Sequence, residues 1–171
     1  MRIIMPELRR AAFMSALLCI AGSPAWAQKI NSSDGAITVR YPAHTVVLSR
    51  SDLSSLPRQT TRIVDGADTS SVSGVSLWDV LQKAGTPSAE ASGRQRAVMY
   101  IRLTGVDGAS AVVALVDVDP GFSHRSVLLA DRRGDRPLDD AEGPWRAIFP
   151  DDARRARWIR GLVSIAVETV K

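Results

Sequence analysis

The side chains in this chain best suited to hold or transform a ligand are arginines placed beside tryptophans, with no thiol near them. Arg146 follows Gly143-Pro144-Trp145, and Arg157 stands directly before Trp158. A planar, permanently charged guanidinium suits bidentate recognition of phosphate or carboxylate. The same group serves equally in a structural ion pair, for which Asp139, Asp140 and Asp151 are the acidic candidates near Arg146. Both readings stand. Arg154, Arg155, Arg157 and Arg160 form the densest basic cluster in the chain. A helix over 153–160 would set Arg154 and Arg157 on one side with Arg160 a turn beyond, and Asp151 and Asp152 would favour its start. That cluster reads either as an anion pocket or as a solvated helix carrying its own carboxylates.

The remaining chemical candidates are weaker. His124 and Arg125 follow Asp119-Pro120-Gly121, where a histidine could take a proton near neutral pH or bind an anion, or simply face solvent. His44 has no second histidine at ligand spacing. Asp117 and Asp119 could converge at a strand end, or shape a turn. No Gly-x-Ser-x-Gly elbow occurs and nothing couples a serine to either histidine, so no catalytic residue is assigned. Trp78, Trp145 and Trp158 read first as core or rim packing. The one cysteine, Cys19, falls in a segment expected to be removed, which leaves no thiolate for zinc, disulfide or nucleophilic chemistry and no metal ligand set.

That segment is residues 1–27. Arg2, Arg9 and Arg10 precede an apolar run from Ala11 to Ala21, too short for a stable bilayer anchor, and Ala25-Trp26-Ala27 fits a signal-peptidase site. Cleavage would make Gln28 the first residue of a periplasmic product. Arg9-Arg10 only loosely meets the twin-arginine pattern, so ordinary unfolded export is the default route. Of 22 basic and 18 acidic residues the segment holds three arginines and Glu7, so the remainder is close to neutral. That balance gives no case for nucleic acid. No second apolar run approaches membrane-spanning length.

Residues 28–171 read as one domain, with loops at Gln28–Gly35, Asp65–Ser73, Gly85–Gln95 and Arg132–Glu142. Ile37–Tyr41 and Thr45–Leu48 have strand character, and Ser51–Leu56 reads as a short helix stopped by Pro57. The clearest helix is Leu77–Ala84. Ser76 can cap it, Leu77, Val80, Leu81 and Ala84 make an apolar stripe, and Gly85 can take the left-handed stop. Val98–Thr104 alternates as a strand, Val106-Asp107-Gly108 offers a turn, and Ala111–Val116 reads as a buried strand. Arg146–Phe149 and Val163–Val170 complete the set. Many short strands with few helices predict an α+β domain built on mixed β-sheet.

The ordered series Leu128-Leu129-Ala130, Gly134, Pro137-Leu138, Gly143-Pro144-Trp145-Arg146, Pro150 and Arg157-Trp158 resembles the C-terminal part of the molybdopterin-binding domain of the sulfite oxidase family. Leu53-Ser54-Ser55-Leu56-Pro57-Arg58, Gly74-Val75-Ser76-Leu77 and the Asp107-Gly108 turn are similar to earlier segments of that domain. The resemblance reaches across residues 45–170 and implies a sulfite-oxidase-like molybdopterin-binding fold. It also implies that Arg146 and Arg157 match basic residues that approach the pterin cofactor. The family's cysteine ligand to molybdenum falls in the interval Gln59 to Ser73, where Ile63, Val64 and Asp65 stand near the expected place. An alkyl group cannot ligate molybdenum, and Asp65 would offer a hard oxygen instead of a soft thiolate. Ala109 replaces a usual aromatic residue, and Ala141 and Glu142 replace a usual amide. Glu142 would repel an anionic ligand.

The expectation is therefore an exported protein without redox catalysis, binding an anionic small molecule or an exported protein partner through the former cofactor face. Arg146 and Arg157 are its first binding candidates, with His124 and Arg125 behind them, and no cofactor is expected. The alternative is a molybdenum–pterin oxidoreductase whose metal lacks a protein thiolate.

Overall fold

The computed structural model describes residues 35–42, 44–65, 68–86 and 92–170. The expected export segment with Cys19, and Gln28 after it, lie outside the described residues.

The expected α+β character is present as two sheets with a few short helices. In the first sheet the order is β2 (His44–Leu48), β1 (Ile37–Tyr41), β10 (Leu162–Thr169), β5 (Met99–Gly105), β6 (Ser110–Ala114). β1 and β10 run parallel and the other pairs are antiparallel. The second sheet runs β3 (Arg58–Asp65), β4 (Asp68–Ser76), β7 (Leu128–Arg133), β8 (Arg136–Pro137), with β9 (Arg146–Ile148) also paired to β7. Alternation on β5 buries Met99, Ile101 and Leu103, as their spacing predicts. These meet Val75, Leu129 and Ala147 from the second sheet, and Trp145 just before β9, in the main core. On the other face of the second sheet, Ile63, Val72, Leu128, Ala130 and Ile148 form a smaller cluster against Trp158.

The helices are brief. α1 (Arg50–Ser54) carries a capping box between Ser49 and Asp52. α2 (Leu77–Lys83) starts where the Ser76 hydroxyl accepts the Trp78 amide, and it stops before Gly85 at φ +70°. Leu77, Val80 and Leu81 are wholly buried, each worth roughly 1.5–3 kcal/mol. α3 (Gly93–Ala97) begins inside the expected loop 85–95, capped by Ser92 and Gln95. α4 (Leu115–Val118) ends the apolar run read as a strand to Val116, because Ala114 is already in capping geometry. Among the described residues no helix is long and apolar enough to cross a membrane.

Three further expectations are corrected. Within the expected loop 65–73, residues 68–73 are strand: β4 pairs with β3 from Val75 opposite Arg58 to Asp68 opposite Asp65, and with β7 on its other side. The interval 132–142 begins as the β7–β8 hairpin, with Arg133 opposite Arg136. The arginine-rich stretch 153–160 is no α-helix but a single 3-10 turn at Arg155–Arg157. It cannot continue as a helix because Ile159 exchanges backbone hydrogen bonds with Ala147, which draws the chain out along β9.

The outer face of the first sheet carries a cross-strand network with a consequence for pH. Tyr100 lies opposite Glu168 and donates its hydroxyl to the carboxylate at 2.6 Å, and Arg102 donates to the other oxygen. The Tyr100 hydrogen bond, then that of Arg102, holds the Glu168 carboxyl below its ordinary value, with Arg40 adding a smaller attraction. A depressed carboxyl stabilises the fold above its unfolded-state pKa and loses that contribution as pH falls through the folded value. The expected result is that Glu168→Gln is less stable than the parent at neutral pH. The gap should narrow as denaturation is repeated through the acid range.

Candidate functional site

Strand β9 sorts the candidate residues. Arg146 and Ile148 point to the face holding Trp158, whereas Ala147 belongs to the main core on the other side. Arg146 is only 2% exposed, and its guanidinium lies over the Trp158 ring, 5.1 Å from the centroid. Burial pushes its pKa below the ordinary arginine value; Glu142 opposes that shift, while Arg160 and Arg133 add to it. The guanidinium remains a cation at any pH the fold survives, so the shift expresses the cost of keeping that charge out of water.

Arg146 pairs with Glu142, which the acidic candidates read from the sequence did not include. A tight turn presents it. The Asp139 carboxylate accepts from the amides of Ala141 at 3.1 Å and Glu142 at 3.0 Å, and the Gly143 amide donates to the Asp139 carbonyl. The Gly161 amide fixes the Glu142 carbonyl at 3.1 Å. From the end of β7, Arg133 Nη2 donates to both Glu142 oxygens at 3.0 and 2.8 Å, while its Nη1 donates to Ser70 Oγ on β4 at 2.6 Å. Two guanidiniums thus converge on one carboxylate.

Arg146 forms part of the floor of an open cleft of about 540 Å³ that also involves Trp158, Arg155 and Arg160, with Asp107 on its rim. A second cleft, reaching Arg62 on β3 and Arg154, shares Arg155 and Trp158 with the first. Among the described residues Arg62, Arg154 and Arg160 make no ion pair. The face is therefore basic, with an aromatic ring at its centre.

Arg157 does not join this face. It donates to Asp152 through Nε at 2.9 Å and Nη2 at 2.6 Å, and stacks on Phe149 at 4.4 Å. The hydrogen bond to Asp152 raises its pKa. Arg125 lies by Arg157 along a crevice of about 20 Å³, room for a water at most, and His124 is exposed in the neighbouring turn. The chain thus brings Arg146 together with Trp158, Arg155 and Arg160, and groups Arg157 with Arg125 elsewhere. Arg133 and Ser70 carry no signal in sequence, since the hairpin that aligns them was itself read as loop. The four-residue spacing of Glu142 and Arg146 was visible, but the Gly143-Pro144 turn between them hid its meaning.

The interval Gln59 to Ser73 holds, as a paired hairpin, Ile63 in the smaller core and Val64 exposed to solvent. Among the described residues no three histidine, cysteine, aspartate or glutamate side chains gather to hold a metal ion.

No family model matches the chain, and no curated protein does. Among solved structures it is similar to the sulfane dehydrogenase SoxCD from Paracoccus pantotrophus, with a TM-score of 0.63 and 15% identity. The match covers 83% of this chain and 40% of that one, so the chain spans about two fifths of the length of the structure it resembles. At that identity the likeness shows the fold alone. The fold is the mixed, two-sheet α+β arrangement of the sulfite-oxidase-like kind expected from the sequence.

Proposed function

We propose that this is an exported, single-domain protein of sulfite-oxidase-like fold that binds an anionic small molecule or a protein partner, without redox catalysis. The observation that carries the reading is Arg146, buried beneath Trp158 at the floor of a cleft shared with Arg155 and Arg160. A buried, always-charged group at the base of an open cleft is an attachment point for a planar or tetrahedral anion. The residues at the hairpin do not fit a thiolate-held molybdenum, because Ile63 and Val64 are alkyl and offer no donor. No reaction step is derived through that metal.

The test uses inorganic pyrophosphate as probe, titrated into the folded protein by calorimetry. Binding is expected, and Arg160→Ala should weaken it about tenfold, the effect of one charge-assisted hydrogen bond. Saturating pyrophosphate without heat, or an Arg160→Ala variant that binds as well as the parent, overturns the small-anion reading. Recovery from a periplasmic fraction, cleaved after Ala27, checks export.

A second reading, a molybdenum–pterin oxidoreductase, draws on the likeness to a sulfane dehydrogenase. Metal and pterin measurement on protein purified from its native host separates the two. Molybdenum at one atom per chain would decide for the enzyme.

A further inference from the structure

Beside the proposed anion-binding face, and resting on that reading of it, the second sheet leaves one long edge open. We infer that the outer edge of β3 takes up an extended acidic segment of a protein partner as an added strand, seated in the cleft that Arg62, Ile63 and Val64 line.

β3 is eight residues long and stands at the end of its sheet, paired to β4 alone. Among the described residues its backbone makes no hydrogen bond on the other side. Such a row of free amides and carbonyls is a template for a further strand. A cleft of about 590 Å³ makes the row reachable. Ile63 turns to the face that holds Trp158, while Arg62 and Val64, one place either side, are exposed on the opposite face. All three nevertheless line this one cleft. Only space in front of the strand's edge meets both faces at once. Pro150, Ala153 and Arg154 close the cleft from the chain beyond β9.

The chemistry along the edge selects the occupant. Among the described residues Arg62 and Arg154 make no ion pair. The Asp152 carboxylate in the same cleft is already held through both of its oxygens by Arg157. Pairing with a second copy would bring another Arg62 to the same strip, whereas an acidic strand meets these charges favourably. Arg62 and Val64 share a face, and Val64 is 66% exposed. An added strand therefore suits the site when it sets a carboxylate opposite Arg62 and an aliphatic side chain two places along. The main chain supplies affinity, and these two contacts supply the choice of partner. Arg160 lines the neighbouring cleft and not this one, so a small anion held there leaves the edge free.

The probe is a capped peptide of about eight residues, with serine at every second place and glutamate and valine taking turns at the others. Fluorescence anisotropy with the folded protein is expected to show binding, and the same peptide with lysine for glutamate should not bind. Arg62→Glu should reverse that preference and weaken the glutamate peptide by about tenfold or more. If Arg62→Glu does not fold, Arg154→Glu is read in its place. Two further peptides carry backbone N-methyl groups, one on its serines and the other on its glutamates and valines. A strand turns alternate amides toward its neighbour, so one methylated peptide should bind about tenfold more weakly and the other as the unmodified one does. Equal behaviour of the two, or no binding by any peptide, overturns the added strand. Self-association that Arg62→Glu alters, with no peptide bound, assigns the edge to a second copy and also overturns it. Pyrophosphate bound without peptide sinks this inference and leaves the small-anion reading standing. Peptide bound without pyrophosphate does the reverse.

Discussion

Gly74→Ala is expected to destabilise the protein by more than about 4 kcal/mol, in the tail reserved for severe steric conflict. A Cβ at this position would lie 2.0 Å from the Leu129 carbonyl oxygen and 2.6 Å from Ala130 Cα, both backbone atoms with no side chain to swing aside. The close approach arises where the register between β4 and β7 shifts at Ser73/Gly74. Three residues later the Leu77 amide donates to the Val127 carbonyl at 2.9 Å, and α2 begins. Gly74 therefore lets the hairpin and the helix meet β7 together. Gly108→Ala is the control: its φ is +84° but nothing stands within 4 Å of the added carbon. That change costs only the conformational penalty, about 1–2 kcal/mol. Urea denaturation of both variants measures the difference, and a Gly74→Ala loss no larger than that of Gly108→Ala would refute the steric argument.

Arg146→Ala should cost about 3–5 kcal/mol, the range for breaking a buried ion pair. The substitution removes a guanidinium that is 2% exposed, its contact with Trp158, and one of the two arginines answering Glu142. Arg146→Met keeps the apolar stem against the ring while deleting the charge, and should recover part of the loss. Arg157→Ala should cost no more than about 1 kcal/mol, because that pair with Asp152 is 38% exposed on the arginine side and screened by solvent. Equal losses at Arg146 and Arg157 would contradict the division the fold makes between them.

Where a local rule acts alone, the amino-acid order already told the outcome. Ser76, the Leu77-Val80-Leu81 stripe and Gly85 define α2 from cap to stop, and the alternation of Met99, Ile101 and Leu103 defines the buried face of β5. The reading failed where side-chain polarity and backbone pairing disagree. Thr69-Ser70-Ser71-Val72-Ser73 has the composition of a loop, yet it is a strand because β3 satisfies its backbone throughout and β7 joins on the other side from Val72. The arginine spacing in 153–160 suits a helix, but tertiary pairing of Ile159 with Ala147 overrides that preference. The site suffered accordingly. Arg146 could be picked out beside its tryptophan, whereas its company could not, since Glu142 and Arg133 meet only through two turns and a hairpin.

The placement of β10 sets a schedule for folding. It is the last described strand, yet it lies in the interior of the first sheet, parallel to β1 on one side and antiparallel to β5 on the other. Until it arrives, β1 and β5 have no common neighbour, and the main core lacks Leu162, Ile165 and Val167. A contact spanning more than a hundred positions, such as Val39 with Ile165, is slow to close and cannot be replaced by anything earlier in the chain. Joining β1 to β5 is therefore the long-range step on which closure of the first sheet depends.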